Sequence, residues 1–248
     1  MRSSPLDNIT IVLVGTKYPG NIGSVARAMW NMGLDHLRLA RPQCRIDEES
    51  RRMARSGGTI LDHARVHRSL QAALRGMRLT VGTTGKTGGY RSPTHAPRVV
   101  APKILAQAAG QKVAIVFGPE DTGLLDQDLR LCQMLVGIPT HRRGRSINLA
   151  QAVMIFCYEL YLARSKGHLS PSLSLAPVER LEAMYTQLQE ALLETGFLHA
   201  QNTDHMMFAL RRLLGRAGLE DSDVAILRGI ARQIAWHAKR APKNEGKS

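Results

Sequence analysis

Short apolar runs alternate with helical periods through the first two thirds of this 248-residue chain. The runs ITIVLVG (9–15), HLRLAR (36–41), RLTVGTT (78–84), KVAIVFG (112–118) and QMLVGIP (133–139) are mostly continuous rather than strictly alternating. Such runs suit strands covered on both faces. Between and after them, three-to-four spacing of apolar residues predicts helices over 22–33, 47–55, 69–75, 98–109, 123–131 and 146–165. Strands separated by helices predict an α/β domain, a parallel sheet with helices on both faces, over residues 1–166.

The pattern then changes. GHLSPSLSLAP (167–177) is rich in Ser, Pro and Gly and predicts a linker. Pro177 opens a helical period with apolar residues at Val178, Leu181, Met184, Leu188, Ala191 and Leu192, and Gly196 stops it. Two more helical periods cover 203–215 and 221–239. Residues 178–240 are therefore expected to form a small all-helical extension, followed by a flexible tail at 241–248.

Charge sharpens the picture. The net charge is +14, and the surplus of Lys and Arg falls almost wholly within residues 1–167. A basic excess of this size favours a polyanionic partner, most often nucleic acid. Three cysteines, Cys44, Cys132 and Cys157, form no C-x-x-C pair, which argues against a zinc site or a disulfide framework. No apolar run has the length of a membrane span or of a signal sequence, so a soluble cytoplasmic protein with no membrane and no metal partner is expected.

Candidate chemistry lies where predicted strands end. GTKYPGNIG spaces its glycines as G-x4-G-x2-G, which is neither a dinucleotide fingerprint nor a P-loop. Asn21 suits a helix N-cap there, and Arg27 shares a helix face with Ser24. VFGPEDTGL places Glu120 just beyond a strand, where ligands of parallel sheets bind. HRRGRSINLA supplies a basic loop with Arg142, Arg143 and Arg145, then Ser146 at a helix start and Asn148 in its first turn. VGTTGKTGGYRSP (81–93) offers hydroxyls and small residues after a strand, with Lys86 and Arg91 as nearby cations.

NIGSVARAM, VFGPEDTGL and SINLAQAV, in that order and each at a strand end, resemble the three signature motifs of the SpoU/TrmH family of RNA ribose methyltransferases. The C-terminal ALLETGFLHAQN and MMFALRRLLGRAGLEDSDVAILRGIARQI are similar to a branch of that family directed at tRNA. The resemblance implies a deep trefoil knot in the C-terminal part of the sheet and a homodimer. It implies S-adenosylmethionine (SAM) as cofactor, held by Thr83, Thr84, Gly85, Gly118, Ile138, Arg145, Ser146 and Ile147.

It makes Arg27 the catalytic arginine, with Asn21 beside it and with Glu120, Ser146 and Asn148 as the remaining motif residues. Ile147 stands where leucine is common. The implied reaction is methylation of the ribose 2′-hydroxyl of cytidine or uridine 32 in the anticodon loop of tRNA. Arg142, Arg143, Lys86, Arg91, Arg211 and Arg212 are then expected to contact RNA. Ribosomal RNA as the substrate, or a non-catalytic RNA-binding protein on the same fold, are the competing expectations.

Overall fold

A computed structural model describes residues 4–85, 95–141, 143, 144, 146–165 and 174–240. It divides into two compact units, 1–173 and 174–248.

The first unit is built on six strands: β1 (Ile9–Val14), β2 (His36–Ala40), β3 (Arg65–His67), β4 (Leu79–Thr83), β5 (Val113–Phe117) and β6 (Met134–Val136). They lie in the order β3-β2-β1-β5-β4-β6, and every pairing is parallel. β1 and β5 run side by side at the centre, Ile11 opposite Ile115, and every residue of both is buried. That double coverage is why their sequences are continuous apolar runs. From β1 the chain moves outward to β2, and from β5 it moves past β4 to β6. The ends of β1 and β5 therefore flank the point where the strand order reverses, the place where open parallel sheets bind ligands.

Among its described residues this unit has seven helices: α1 (Pro19–Asn31), α2 (Glu48–Ala54), α3 (Gly58–Asp62), α4 (Leu70–Ala73), α5 (Pro97–Ala108), α6 (Asp126–Leu129) and α7 (Leu149–Ser165). α1 packs against α2 and α7, and α7 packs against α5. The approach of α1 to α2 is close enough that a Cβ on Gly23 would overlap the carbonyl group of Ser50. Ile22, Val25, Ala26 and Met29 bury the inner side of α1, leaving Arg27 and Trp30 exposed.

The sheet differs from the predicted one at its edge. β3 was not expected, because Arg-Val-His carries no apolar pattern; it is a three-residue edge strand whose Val66 faces solvent. α1 begins at Pro19 with Tyr18 as its N-cap residue, so Asn21 sits inside the first turn and is not the cap. α7 begins at Leu149 rather than Ser146. Its first turn is capped by Asn148, whose Oδ1 accepts from the N–H of Ala150 at 2.9 Å and of Gln151 at 3.4 Å.

The second unit contains α8 (Val178–Glu194), α9 (Thr203–Ala217) and α10 (Asp221–Arg240). Its core gathers Leu181, Met184, Tyr185, Leu198, Met207 and Val224. Residues 174–177, expected as linker, are tied into it: Ala176 N–H donates to Leu219 O at 2.8 Å, and Ser174 N–H to Glu220 Oε1 at 2.8 Å.

Arg211, one of the expected RNA contacts, is engaged within the helical unit. It turns inward and holds both oxygens of Glu182, at 2.5 and 3.0 Å, with its guanidinium 4.3 Å from the centre of the Tyr185 ring. Burial pushes the Tyr185 phenol up to about 12. Arg211→Ala leaves the Glu182 carboxylate without this partner and is expected to cost about 2 kcal/mol, read as a lower urea midpoint for the helical unit.

Candidate active site

Three loops meet where β1 and β5 end. The first follows β1, the second follows β5, and the third precedes α7. The Lys17 N–H donates to Glu120 Oε2 at 3.2 Å, and Asn21 Nδ2 donates to Glu120 Oε1 at 2.8 Å. Asn148 Nδ2 then donates to Asn21 Oδ1 at 3.1 Å. A single chain of hydrogen bonds thus runs from the β1 loop through Glu120, Asn21 and Asn148 to the first amides of α7. Both oxygens of Glu120 accept N–H donors, which fixes the carboxylate as a brace between loops. Lys17 Nζ bonds Asp121 Oδ2 at 2.6 Å, and this pairing raises the lysine and lowers the aspartate from their ordinary values.

Asn148→Ala removes the α7 cap and the link to Asn21 together. The cap alone is worth about 1 kcal/mol, so a lower unfolding midpoint is expected. Asn148→Asp, which retains an acceptor for the cap, is expected to recover most of that loss.

Beside this chain lies a cavity of about 460 Å³, within the range of small-molecule sites. Thr83, Thr84 and Gly85 line it at the end of β4, Gly118 to Leu124 after β5, and Ile138, Ser146 and Ile147 between β6 and α7. Its apolar floor is formed in part by Phe117 and Phe156, packed edge to face at 5.3 Å between ring centres. Gly118 is required there: a Cβ on it would overlap the backbone N of Leu124, so only glycine lets the loop fold back over the strand end. Thr84 N–H donates to Val136 O at 3.0 Å, tying β4 to β6 at the cavity edge. Small residues, backbone groups and an apolar floor suit a ligand with polar ends and a flat apolar part.

All the described residues expected at the cofactor line this cavity; Arg145 lies outside the described residues. Of the expected catalytic residues, Glu120 and Ser146 line it, whereas Asn21 and Asn148 do not line it and are hydrogen-bonded to Glu120 and to the first amides of α7 respectively. Arg27 does not line the cavity of its own chain. It is exposed on α1, about 9 Å along the axis from Asn21, with no ion pair among the described residues. Arg143 is exposed in the basic loop and Arg212 is half-buried on α9, while Lys86, Arg91 and Arg142 lie outside the described residues. The lining residues Phe117, Leu124 and Phe156 were missed because large apolar side chains in a strand, loop or helix read as core. Among the described residues no cluster of His, Cys, Asp or Glu could hold a metal ion, and no helix is long and apolar enough to cross a membrane.

The family model described as the SpoU rRNA Methylase family matches residues 8–158, and that of the tRNA methyltransferase TrmJ C-terminal domain matches residues 179–245. The tRNA (cytidine/uridine-2′-O-)-methyltransferase TrmJ of Pectobacterium atrosepticum is 38% identical over 234 residues, covering 92% of this chain and 97% of that protein. The enzyme of the same name from Salmonella typhimurium is 37% identical over 240 residues, covering 94% and 99%. Among solved structures, TrmJ from Z. mobilis superposes with a TM-score of 0.77 at 32% identity, covering 91% of this chain and 98% of that one. One family model spans most of the sheet-bearing unit, the other spans the helices, and relatives of nearly full length join the two. The chain therefore belongs to the SpoU rRNA methylase family, and carries the C-terminal domain of its TrmJ members.

Proposed function

We propose that the protein transfers a methyl group from SAM to the ribose 2′-hydroxyl of a cytidine or uridine in tRNA, at nucleotide 32 of the anticodon loop. The observation that carries this reading is the meeting of three sequence-distant motif loops at one cavity, joined by the Lys17–Glu120–Asn21–Asn148 chain. The relatives named for tRNA cytidine and uridine 2′-O-methylation supply the substrate class. The β5-to-α7 region carries the family's deep trefoil knot, a rare exception among folds, and its loops wall the cavity.

SAM bound in the cavity supplies a methyl already activated by a positive sulfur. The protein's task is alignment and stabilisation of charge on the attacking oxygen. Thr83, Thr84 and Gly118 hold the cofactor end of the line, largely through backbone groups. Glu120, Asn21 and Asn148 keep the loops at fixed distances. Arg27 presents a guanidinium with five donors and no acceptor. It therefore holds the target phosphate and steadies the developing 2′-oxyanion, and does not take the proton.

An arginine that is exposed, without an ion pair among the described residues and absent from its own cavity wall supports a role toward a second subunit. The protein acts as a homodimer in which Arg27 completes the partner subunit's cavity. Trp30 on α1 and Tyr158 on α7, large exposed side chains on two helices packed together, are available for that contact.

The test is incubation with labelled SAM and unmodified tRNA, digestion, and separation of nucleosides. Label is expected in 2′-O-methylcytidine or 2′-O-methyluridine, and the labelled fragment is expected to contain nucleotide 32. Label entering ribosomal RNA but not tRNA would overturn the substrate. No label in either RNA would overturn the activity.

A further inference from the structure

The segment Lys17–Tyr18–Pro19 joins the end of β1 to α1, and the site already engages most of it. The Lys17 amide is on Glu120, and its ammonium is on Asp121, a residue of the cavity wall. The Tyr18 carbonyl accepts the N–H of Asn21 at 3.1 Å. Pro19 occupies the first turn of α1 with its φ fixed by the ring. The backbone of Tyr18 is thus held on both sides by groups that also hold Glu120 and Asn21.

Its side chain is not held. Tyr18 is 59% exposed, more than any other described Phe, Tyr or Trp. Among the described residues it stacks on no other ring, lies under no cation, and its hydroxyl makes no hydrogen bond. Lys17 is committed to Asp121, so the ring is the part of this segment free to meet a substrate.

The proposed reaction gives such a ring a task. A loop nucleotide can bring its 2′-hydroxyl in line with a buried methyl only by leaving its neighbours in the stack. The base then loses its stacking partners, and a nearby aromatic face replaces them. Stacking uses the π-face, which cytosine and uracil share, and ignores the edge groups by which they differ. A tyrosine on a pinned backbone supplies that face with only two side-chain torsions to restrict.

Resting on the proposed function, we infer that Tyr18 is the platform on which the target pyrimidine stacks while its ribose faces the cavity. Tyr18 is then the reason one site accepts both cytidine and uridine.

The experiment measures kcat/KM for methyl transfer from labelled SAM to a synthetic anticodon stem-loop RNA. A second stem-loop carries an abasic ribose, with its 2′-hydroxyl intact, at the target position. On the normal RNA, Tyr18→Ala is expected to lose about 10- to 100-fold, with SAM affinity unchanged. Tyr18→Phe is expected to behave as wild type, because the face and not the hydroxyl is used. On the abasic RNA, wild type and Tyr18→Ala are expected to be equal.

Wild-type activity of Tyr18→Ala on the normal RNA would overturn the inference, and so would an equal loss on the abasic RNA. So would a change in the protein's mass in solution on Tyr18→Ala, which would assign the ring to a subunit interface. No transfer by the wild-type protein to either tRNA or the normal stem-loop would overturn the function itself, and this inference with it.

Discussion

Arg27→Ala is expected to lower kcat by about 100- to 1000-fold and to leave SAM affinity as it was. The separation follows from geometry. Arg27 is off its own chain's cavity wall, while the residues proposed to hold the cofactor sit around that cavity. Its side chain makes no ion pair among the described residues and lies on the face of α1 away from the core, so its removal leaves the fold intact. Arg27→Lys retains the charge but loses the planar fork that grips a phosphate through two bonds; its rate is expected between the two. Single-turnover transfer with SAM titrated separately reads both quantities. Full activity in Arg27→Ala would remove the arginine from the reaction.

Gly118→Ala is expected to do the opposite, weakening SAM binding itself and lowering transfer by about 100-fold. The added Cβ would overlap the backbone N of Leu124, which is not a flexible side chain that can step aside. The loop from Gly118 to Leu124 must move, and it forms a large part of the cavity wall and carries Glu120. Calorimetric titration with SAM checks the binding, and circular dichroism checks that the sheet survives. SAM binding at the wild-type level would mean that this loop is not the wall of the cofactor site.

The two variants also test the subunit arrangement. Each alone is expected to be nearly inactive, one lacking the arginine and the other the cavity. Mixed and allowed to exchange subunits, they are expected to recover activity, because an intact cavity in one protomer then faces an intact Arg27 from its partner. No recovery after demonstrated exchange would place Arg27 and the cavity it serves in one chain.

Much of the sheet was legible because β1, β4 and β5 are buried along nearly their whole length, and burial writes itself as a continuous apolar run. β3 was illegible for the converse reason: an exposed edge strand of three residues has no face to pattern. Helix starts were read about three residues off where capping was assigned to the wrong amide or hydroxyl, Asn21 instead of Tyr18 and Ser146 instead of Asn148. Arg211 and Arg212 were both expected to contact RNA. Consecutive helical residues point about 100° apart, and Arg211 is the one that faces Glu182. The positions of Asn21, Glu120 and Asn148 could be named from motifs. Their linkage into one hydrogen-bonded chain could not, since it depends on three loops converging from opposite ends of the unit.

That linkage bears on how the enzyme is made as well as on how it works. Positions 17, 21, 120 and 148 are separated by up to 127 residues between directly bonded partners. No early fragment of the chain holds the whole proposed cofactor site, which is complete only when the last helix of the sheet-bearing unit has docked. Ligand occupancy is therefore coupled to completion of the whole unit. SAM at a hundredfold excess over its Kd would add about 2.7 kcal/mol to the stability of the finished fold and nothing to its precursors. The metabolite that the enzyme consumes thereby also selects for correctly completed protein.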